Sequence, residues 1–220
     1  MYVDPDYVEP ELDEVYRLVE AHPFATLVTA DPGLRIAHVP VQVRTTDDGA
    51  REIVAHVAAV DPFADSVRRG ADILVSVLGP SVYVTPAWYA DRGLPTYNFV
   101  AIELRGTCVP LDDPDAVRRH LMRLVADHEG ARHDEVDDRW RVDGWARDRT
   151  TELLPELQAF TMRVDEVTAK LKLSQNRTPG DRRGVIEALT SSSRDDDHAV
   201  RDLMTARFDE SGRRPGEGGR

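Results

Sequence analysis

Short runs of β-branched and apolar residues, each closed off by turn-forming residues, limit what this chain can fold into more than any other feature. Phe24–Thr29, Ile36–Val43 and Glu52–Val57 are divided by Asp31-Pro32-Gly33 and Asp47-Asp48-Gly49. This reads as an antiparallel meander, since branched side chains fit a pleated surface and Asp, Pro and Gly accept reversal dihedrals. Further strands are expected from Ile73 to Leu78, around Val82–Thr85, from Asn98 to Val109, and over Ala159–Val164. Strands this short and numerous, with few helical interruptions, favour a closed barrel over a doubly wound sheet. The expected class is mainly β with flanking α.

Helices frame the strands. Leu12, Val15, Leu18 and Val19 repeat at helical spacing before His22-Pro23, where proline disfavours continuation. Asp61-Pro62 opens a short helix ending near Arg69-Gly70, and Asp113-Pro114 opens another through His128, with Val117, Leu121, Leu124 and Val125 inward. Residues 130–150 are polar, and Arg182–Leu189 is expected to form a terminal helix. Beyond it, residues 191–220 read as a largely disordered polar tail, with room for a short amphipathic helix near Val200–Phe208.

A chain of 220 residues, 41% hydrophobic, buries a sizeable core. A formal net charge of −12 and a pI near 5.0 argue against nucleic acid as a partner, because phosphate binding needs clustered cations. One cysteine, Cys108, excludes an internal disulfide framework, and no apolar run approaches a membrane span. Met1–Asp6 lacks the features of an export signal, so a cytoplasmic location is expected.

No nucleophile elbow, Walker loop, dinucleotide glycine fingerprint or zinc-spaced cysteine set occurs. Chemistry-bearing groups gather instead in two stretches, Gly79–Tyr89 with Tyr83, Trp88 and Tyr89, and Lys170–Arg177 with Lys172, Ser174, Gln175, Asn176 and Arg177. Aromatic, hydroxyl, amide and cationic groups at strand ends suit a flat, anionic cofactor, and Asn176–Gly180 is turn-like, exposing backbone donors. His38 and His56 both fall in expected strands, where a histidine is commonly a hydrogen-bonded core residue. For Trp88, Tyr89 and Phe99 the plain structural alternative is packing at a subunit interface.

The ordered set Met1-Tyr2-Val3, Pro23–Thr29, His38-Val39-Pro40, Ala55–Ala58, Gly79–Tyr89, Pro95–Phe99 and Lys172–Arg177 resembles the PaiB-type family, described as FMN-binding negative transcriptional regulators, over roughly residues 1–190. The resemblance implies a six-stranded antiparallel split β-barrel that forms a homodimer and holds a planar cofactor at the subunit interface. Two departures stand out. Where the family reads Gly-His-Leu-Ala-Arg-Ala-Asn-Pro, this chain has Ala55–Pro62, with Ala59 in place of the arginine and Asp61 in place of the asparagine. Losing a bidentate cation and gaining a carboxylate weakens the grip on a terminal phosphate by about a hundredfold if both face it. Where the family has tryptophan and histidine, this chain has Tyr97 and Glu103.

These departures point to a haem-binding branch similar to the piperazate synthases, which close a nitrogen–nitrogen bond in an N-hydroxylated diamino acid such as N5-hydroxyornithine. The resemblance implies haem b with His56, or alternatively His38, as axial ligand, Glu103, Tyr97 or Tyr89 in proton transfer, and Lys172 or Arg177 holding the carboxylate of a small-molecule substrate. FMN is the alternative cofactor, with a regulator of the PaiB type or a flavin-dependent reductase as the alternative functions.

Overall fold

The computed structural model describes residues 1–8, 11–131 and 140–208. Helix α1 (Leu12–Ala21) buries Val15, Tyr16, Leu18 and Val19, the stripe that its spacing predicts. Eight strands follow: β1 (Phe24–Thr29), β2 (Arg35–Pro40), β3 (Gln42–Thr45), β4 (Arg51–Ala58), β5 (Asp72–Val84), β6 (Thr96–Leu111), β7 (Leu157–Arg163) and β8 (Glu166–Lys172). Five more helices are α2 (Pro62–Arg68), α3 (Pro114–Ala131), α4 (Gly144–Leu153), α5 (Pro179–Thr190) and α6 (Asp195–Arg207). Among the described residues no helix is long and apolar enough to cross a membrane.

The strands form one sheet in the order β2-β1-β5-β6-β7-β4-β3, with β8 paired to β6. The pairs β1–β2, β1–β5, β3–β4, β4–β7 and β6–β7 are antiparallel. The expected barrel is therefore corrected in two respects, since the sheet has eight strands rather than six and does not close. Its end strands β2 and β3 follow one another in the chain across Val41 alone, yet are not hydrogen-bonded neighbours. The Val41 N–H goes to the Pro23 carbonyl instead, at 2.8 Å. The expected meander resolves into two hairpins at opposite ends of the sheet order.

Two expected strands, Ile73–Leu78 and Val82–Thr85, are one, β5. Its buried positions are Ile73, Val75 and Val77, then Pro80, Val82 and Val84. The alternation changes phase at Gly79-Pro80, so the strand turns its other face inward without stopping. The same place separates two compact units: Met1–Val19, Leu78–Glu103 and Thr168–Arg220 form the first, Glu20–Val77 and Leu104–Val167 the second. The segment 1–190, read from sequence as one domain, thus contributes to both.

In the second unit, Ile53, Val54, Ala55, Val57, Phe63, Phe160 and Met162 build a core around β4, β7 and α2. Cys108 lies buried there as a free thiol. Gly106 permits β6 to approach β7, since a Cβ on it would sit 2.0 Å from the Arg163 carbonyl oxygen. Helix α4 begins at Asp143, whose side chain accepts from the Ala146 N–H at 2.8 Å, within a stretch whose polarity gave no helical signal.

In the first unit, helix α6 occupies Asp195–Arg207, longer than the short amphipathic helix expected near Val200–Phe208 within an otherwise disordered tail. Val200, Met204 and Phe208, at 0%, 0% and 4% exposure, form a stripe spaced by four, and Asp195, Asp196 and Asp197 occupy the first turn of α6, where acidic groups complement the helix dipole. The remainder of the tail, residues 209–220, lies outside the described residues. Helix α5 backs onto the turn Pro86–Trp88 at Gly184, whose Cβ would meet the Trp88 carbonyl oxygen at 2.1 Å. Gly184→Ala is expected to destabilise the chain by roughly 1–3 kcal/mol, the range for forcing atoms into a filled contact. Urea denaturation of the variant checks it.

Candidate functional site

The first unit brings the two chemistry-bearing stretches together on β5, β6 and β8. Lys170 and Lys172 are two apart on β8 and so share a face. The Lys172 ammonium donates to the Thr96 hydroxyl, and Lys170 donates to the Tyr2 carbonyl at 3.3 Å while lying 6.0, 5.9 and 5.7 Å from the ring centroids of Tyr2, Tyr7 and Phe99. Burial, and secondarily the charge of Lys170, push the Lys172 pKa down. Among the described residues neither lysine is ion-paired with a carboxylate. Their charge remains available to an anion.

Arg177 differs. Its guanidinium stacks 4.2 Å from the Tyr89 ring centroid, donates to the Arg92 carbonyl at 3.2 Å and pairs with Asp181 at 2.6 Å, a carboxylate only 1% exposed. That carboxylate neutralises most of the charge locally, and burial raises the Tyr89 pKa beside it. Gly93 lets this stack form, since a Cβ there would come within 2.6 Å of both Arg177 and Tyr89.

The turn between β8 and α5 is held from within. Ser174 has a φ of 63°, a left-handed conformation rare outside glycine. Its buried hydroxyl exchanges hydrogen bonds with the Asn98 side chain, accepting from Nδ2 at 3.0 Å and donating to Oδ1 at 3.1 Å. The Gln175 amide folds back, Oε1 accepting from the Leu173 N–H at 2.6 Å and Nε2 donating to the Leu171 carbonyl. Ser174 and Gln175 thus shape the turn, and Asn176 is left exposed at its tip. Asn98 is a partner that sequence reasoning passed over. A wholly buried amide opposite a strained serine leaves no mark in sequence before the two strands are paired.

Tyr83 and Tyr97 pack edge to face, centroids 5.8 Å apart at 71°, and both stay about half exposed. Trp88 is half-buried with its carbonyl against α5. Glu103 forms an ion pair with the Met1 amino group at 3.0 Å. Its carboxylate is thereby a counter-ion in this structure, a different task from the proton transfer that the resemblance implies.

The two histidines belong to the second unit. His38 is exposed on β2 and meets the Thr26 hydroxyl at 3.1 Å. His56 on β4 is half-buried, and its Nδ1 lies 2.9 Å from Nε2 of His120 on α3. His120 Nδ1 lies 2.5 Å from Gln42 Oε1, and Gln42 Nε2 donates to Asp127 Oδ2 at 3.1 Å. His56 also lines a hollow of about 440 Å³ with Leu121, Leu124, Val125, Leu153 and Leu157. His120 escaped notice in the sequence, although it stands three residues after the inward Val117, on the same stripe of α3.

At the corner Ala59–Asp61 both residues have local partners. Asp61 Oδ1 accepts from the Phe63 N–H at 2.7 Å, capping α2, so its charge is directed into a helix N-terminus. A cation stands beside Ala59 after all: Arg68 donates to its carbonyl at 2.7 Å while pairing with Asp65 at 2.9 Å.

Residues 1–166 match the family described as "Putative FMN-binding domain". The chain belongs to this family. The sequence is 28% identical over 208 residues to the protease synthase and sporulation protein PAI 2 of Bacillus subtilis, covering 93% of this chain and 96% of that one. It is 24% identical over 168 residues to an uncharacterized protein of Saccharomyces cerevisiae, covering 65% of this chain and 99% of the relative. Among solved structures, the FAD and heme binding protein of Mycobacterium smegmatis superposes with a TM-score of 0.55 at 20% identity, over 74% of this chain and 72% of that one. The flavocytochrome Anf3 of Azotobacter vinelandii superposes at 0.54 with 12% identity, over 75% and 69%. At such identities the likeness concerns the fold, which is of the split-barrel flavin-binding type.

Burial, then the charges of His56 and Arg44, hold the His120 pKa down at about 4. Between that value and the ordinary 6.5, the unfolded chain binds more protons than the folded one, so stability present above pH 6.5 is lost as the pH falls toward 4. Wild-type protein should lose roughly 2–3 kcal/mol over this window through His120. Thermal melts against pH should show a shallower decline for His120→Gln.

Proposed function

We propose that this family member binds FMN, with Lys170 and Lys172 holding the phosphate and Tyr83 and Tyr97 offering apolar ring surface beside it. The observation that carries the reading is the lysine pair, two cations on one strand face without a carboxylate partner among the described residues. Charge left open at a partly desolvated site is costly unless an anion completes it. The Asp61 carboxylate is engaged as a cap on the N-terminus of α2. When bound, the flavin supplies hydride or single-electron transfer, while the chain supplies position and electrostatics. A flavin-dependent reductase and a regulator of the PaiB type both follow from this reading.

A second reading is favoured by His56. With Nδ1 occupied by His120 and the ring lining an apolar hollow, Nε2 suits the iron of haem b. His38, exposed and hydrogen-bonded to Thr26, lacks that setting. Closure of a nitrogen–nitrogen bond belongs to this second reading and requires a base other than Glu103 while that residue pairs with Met1.

Absorption spectra of the purified chain, before and after addition of each cofactor, decide between the two. The first reading expects flavin bands and an FMN affinity that falls about 10–100-fold in Lys170→Ala/Lys172→Ala, with binding of riboflavin, which lacks the phosphate, unchanged. Equal losses for FMN and riboflavin would remove the lysines from the phosphate. A Soret band that disappears in His56→Ala would establish the second reading instead.

The reading includes a homodimer through the outward face of β1 and β2, where Phe24 and Ile36 are 69% and 54% exposed. Side chains this apolar on one solvent-facing sheet surface match the anchors of a subunit interface. Sedimentation velocity should find a dimer for the wild type and a monomer for Phe24→Glu/Ile36→Glu. A wild-type monomer at micromolar concentration would dismiss it.

A further inference from the structure

We infer that Asp127, Gln42 and His120 are positioning residues that keep the ring proton of His56 on Nδ1 and leave its Nε2 as a bare electron-pair donor at the apolar hollow. This deepens the haem reading by naming what would orient the iron ligand. Its tautomer test stands without haem.

The order of donors follows from one end of the chain of contacts. The Asp127 carboxylate only accepts, so the Gln42 group facing it at 3.1 Å is the NH₂, and the Gln42 carbonyl oxygen is turned to His120. That oxygen also only accepts, so His120 Nδ1 at 2.5 Å carries a proton and donates. His120 is 5% exposed and its two ring nitrogens face the neutral Gln42 carbonyl and His56, so an uncompensated charge there is costly, the ring is neutral and its Nε2 carries no proton. The remaining contact, 2.9 Å to His56 Nδ1, then needs its proton from His56. The His56 ring faces apolar side chains on its other side, which favours the neutral form, so its second nitrogen is left unprotonated.

The surroundings give that nitrogen a use. His56 lines the hollow with Leu121, Leu124, Val125, Leu153 and Leu157, and the polar contributors are Thr150 and Glu156, the latter on the exposed side. An imidazole nitrogen without a proton, held in apolar surroundings by partners on its other side, is the arrangement by which proteins orient a metal-binding histidine. No local signal marked the three partners, because Gln42, His120 and Asp127 lie on β3 and α3, and no motif joins them to His56.

The test uses the full chain labelled with ¹⁵N-histidine, at pH 7.5 and without cofactor, so that NMR reads which ring nitrogen of His56 holds the proton. The expected result is Nδ1–H for His56 and Nδ1–H for His120 in the wild type. In Gln42→Leu and in Asp127→Asn, which preserves shape but allows the Gln42 amide to reverse, His56 should become a mixture of both tautomers. An Nε2–H tautomer in the folded wild type, or one unchanged in both folded variants, overturns the inference. Haemin titration of the same samples adds a separate arm, in which a wild type that binds haem should lose 10–100-fold in affinity in Asp127→Asn. If the wild type takes up no haem while the tautomers are as expected, the positioning role stands and the haem reading falls.

Discussion

The register of β4 is the constraint on which the second unit turns. This strand is paired on both sides, with β3 from Gln42↔Val54 to Thr45↔Arg51 and with β7 from Glu52↔Arg163 to Ala58↔Leu157. Its period of two sends Ile53, Ala55 and Val57 into the core and His56 to the opposite face. Val54 shares the face of His56 and is also buried, so a slip by one residue would exchange the two sets and put the imidazole in the core; the register that builds the core also aims the histidine. The same pairing brings Gln42 of β3 to the side of the sheet from which it reaches His120.

In the first unit the organising question is where positive charge is spent. Arg177 carries out a structural task, pinned between the Tyr89 ring and the buried Asp181 carboxylate. Lys170 and Lys172 stand nearby in sequence with no such partner among the described residues. Identical formal charges therefore differ in availability, and for a phosphate the unpaired ones matter. The strained Ser174 and the wholly buried Asn98 fix the turn between these groups, so its geometry is preset before any ligand arrives.

Much of this arrangement was legible before folding. Turn residues marked the β1–β2 and β3–β4 hairpins, helical spacing marked α1 and the inward stripe of α3, and the crowding of Tyr89, Trp88, Lys172 and Arg177 marked the unit where they meet. What escaped was information carried by partners distant in sequence. Asp61, read as an acid facing a phosphate, caps a helix, and Glu103, read as a candidate for proton transfer, stands beside the Met1 amino group. The acidic Asp195–Asp197 resembled disorder and is a helix start, because composition alone does not tell a solvated charge from one placed on a dipole.

By itself the sequence determined the strand and helix periods, the family and the stock of aromatic and cationic groups, since these follow from local spacing and residue type. Only the tertiary structure decided the open sheet of eight strands, the phase change at Gly79-Pro80, which cations are neutralised and which nitrogen of His56 is left bare. Each of those depends on a donor or acceptor brought in from tens of residues away, and hydrogen bonds and ion pairs take their direction from the partner rather than from the chain that carries them.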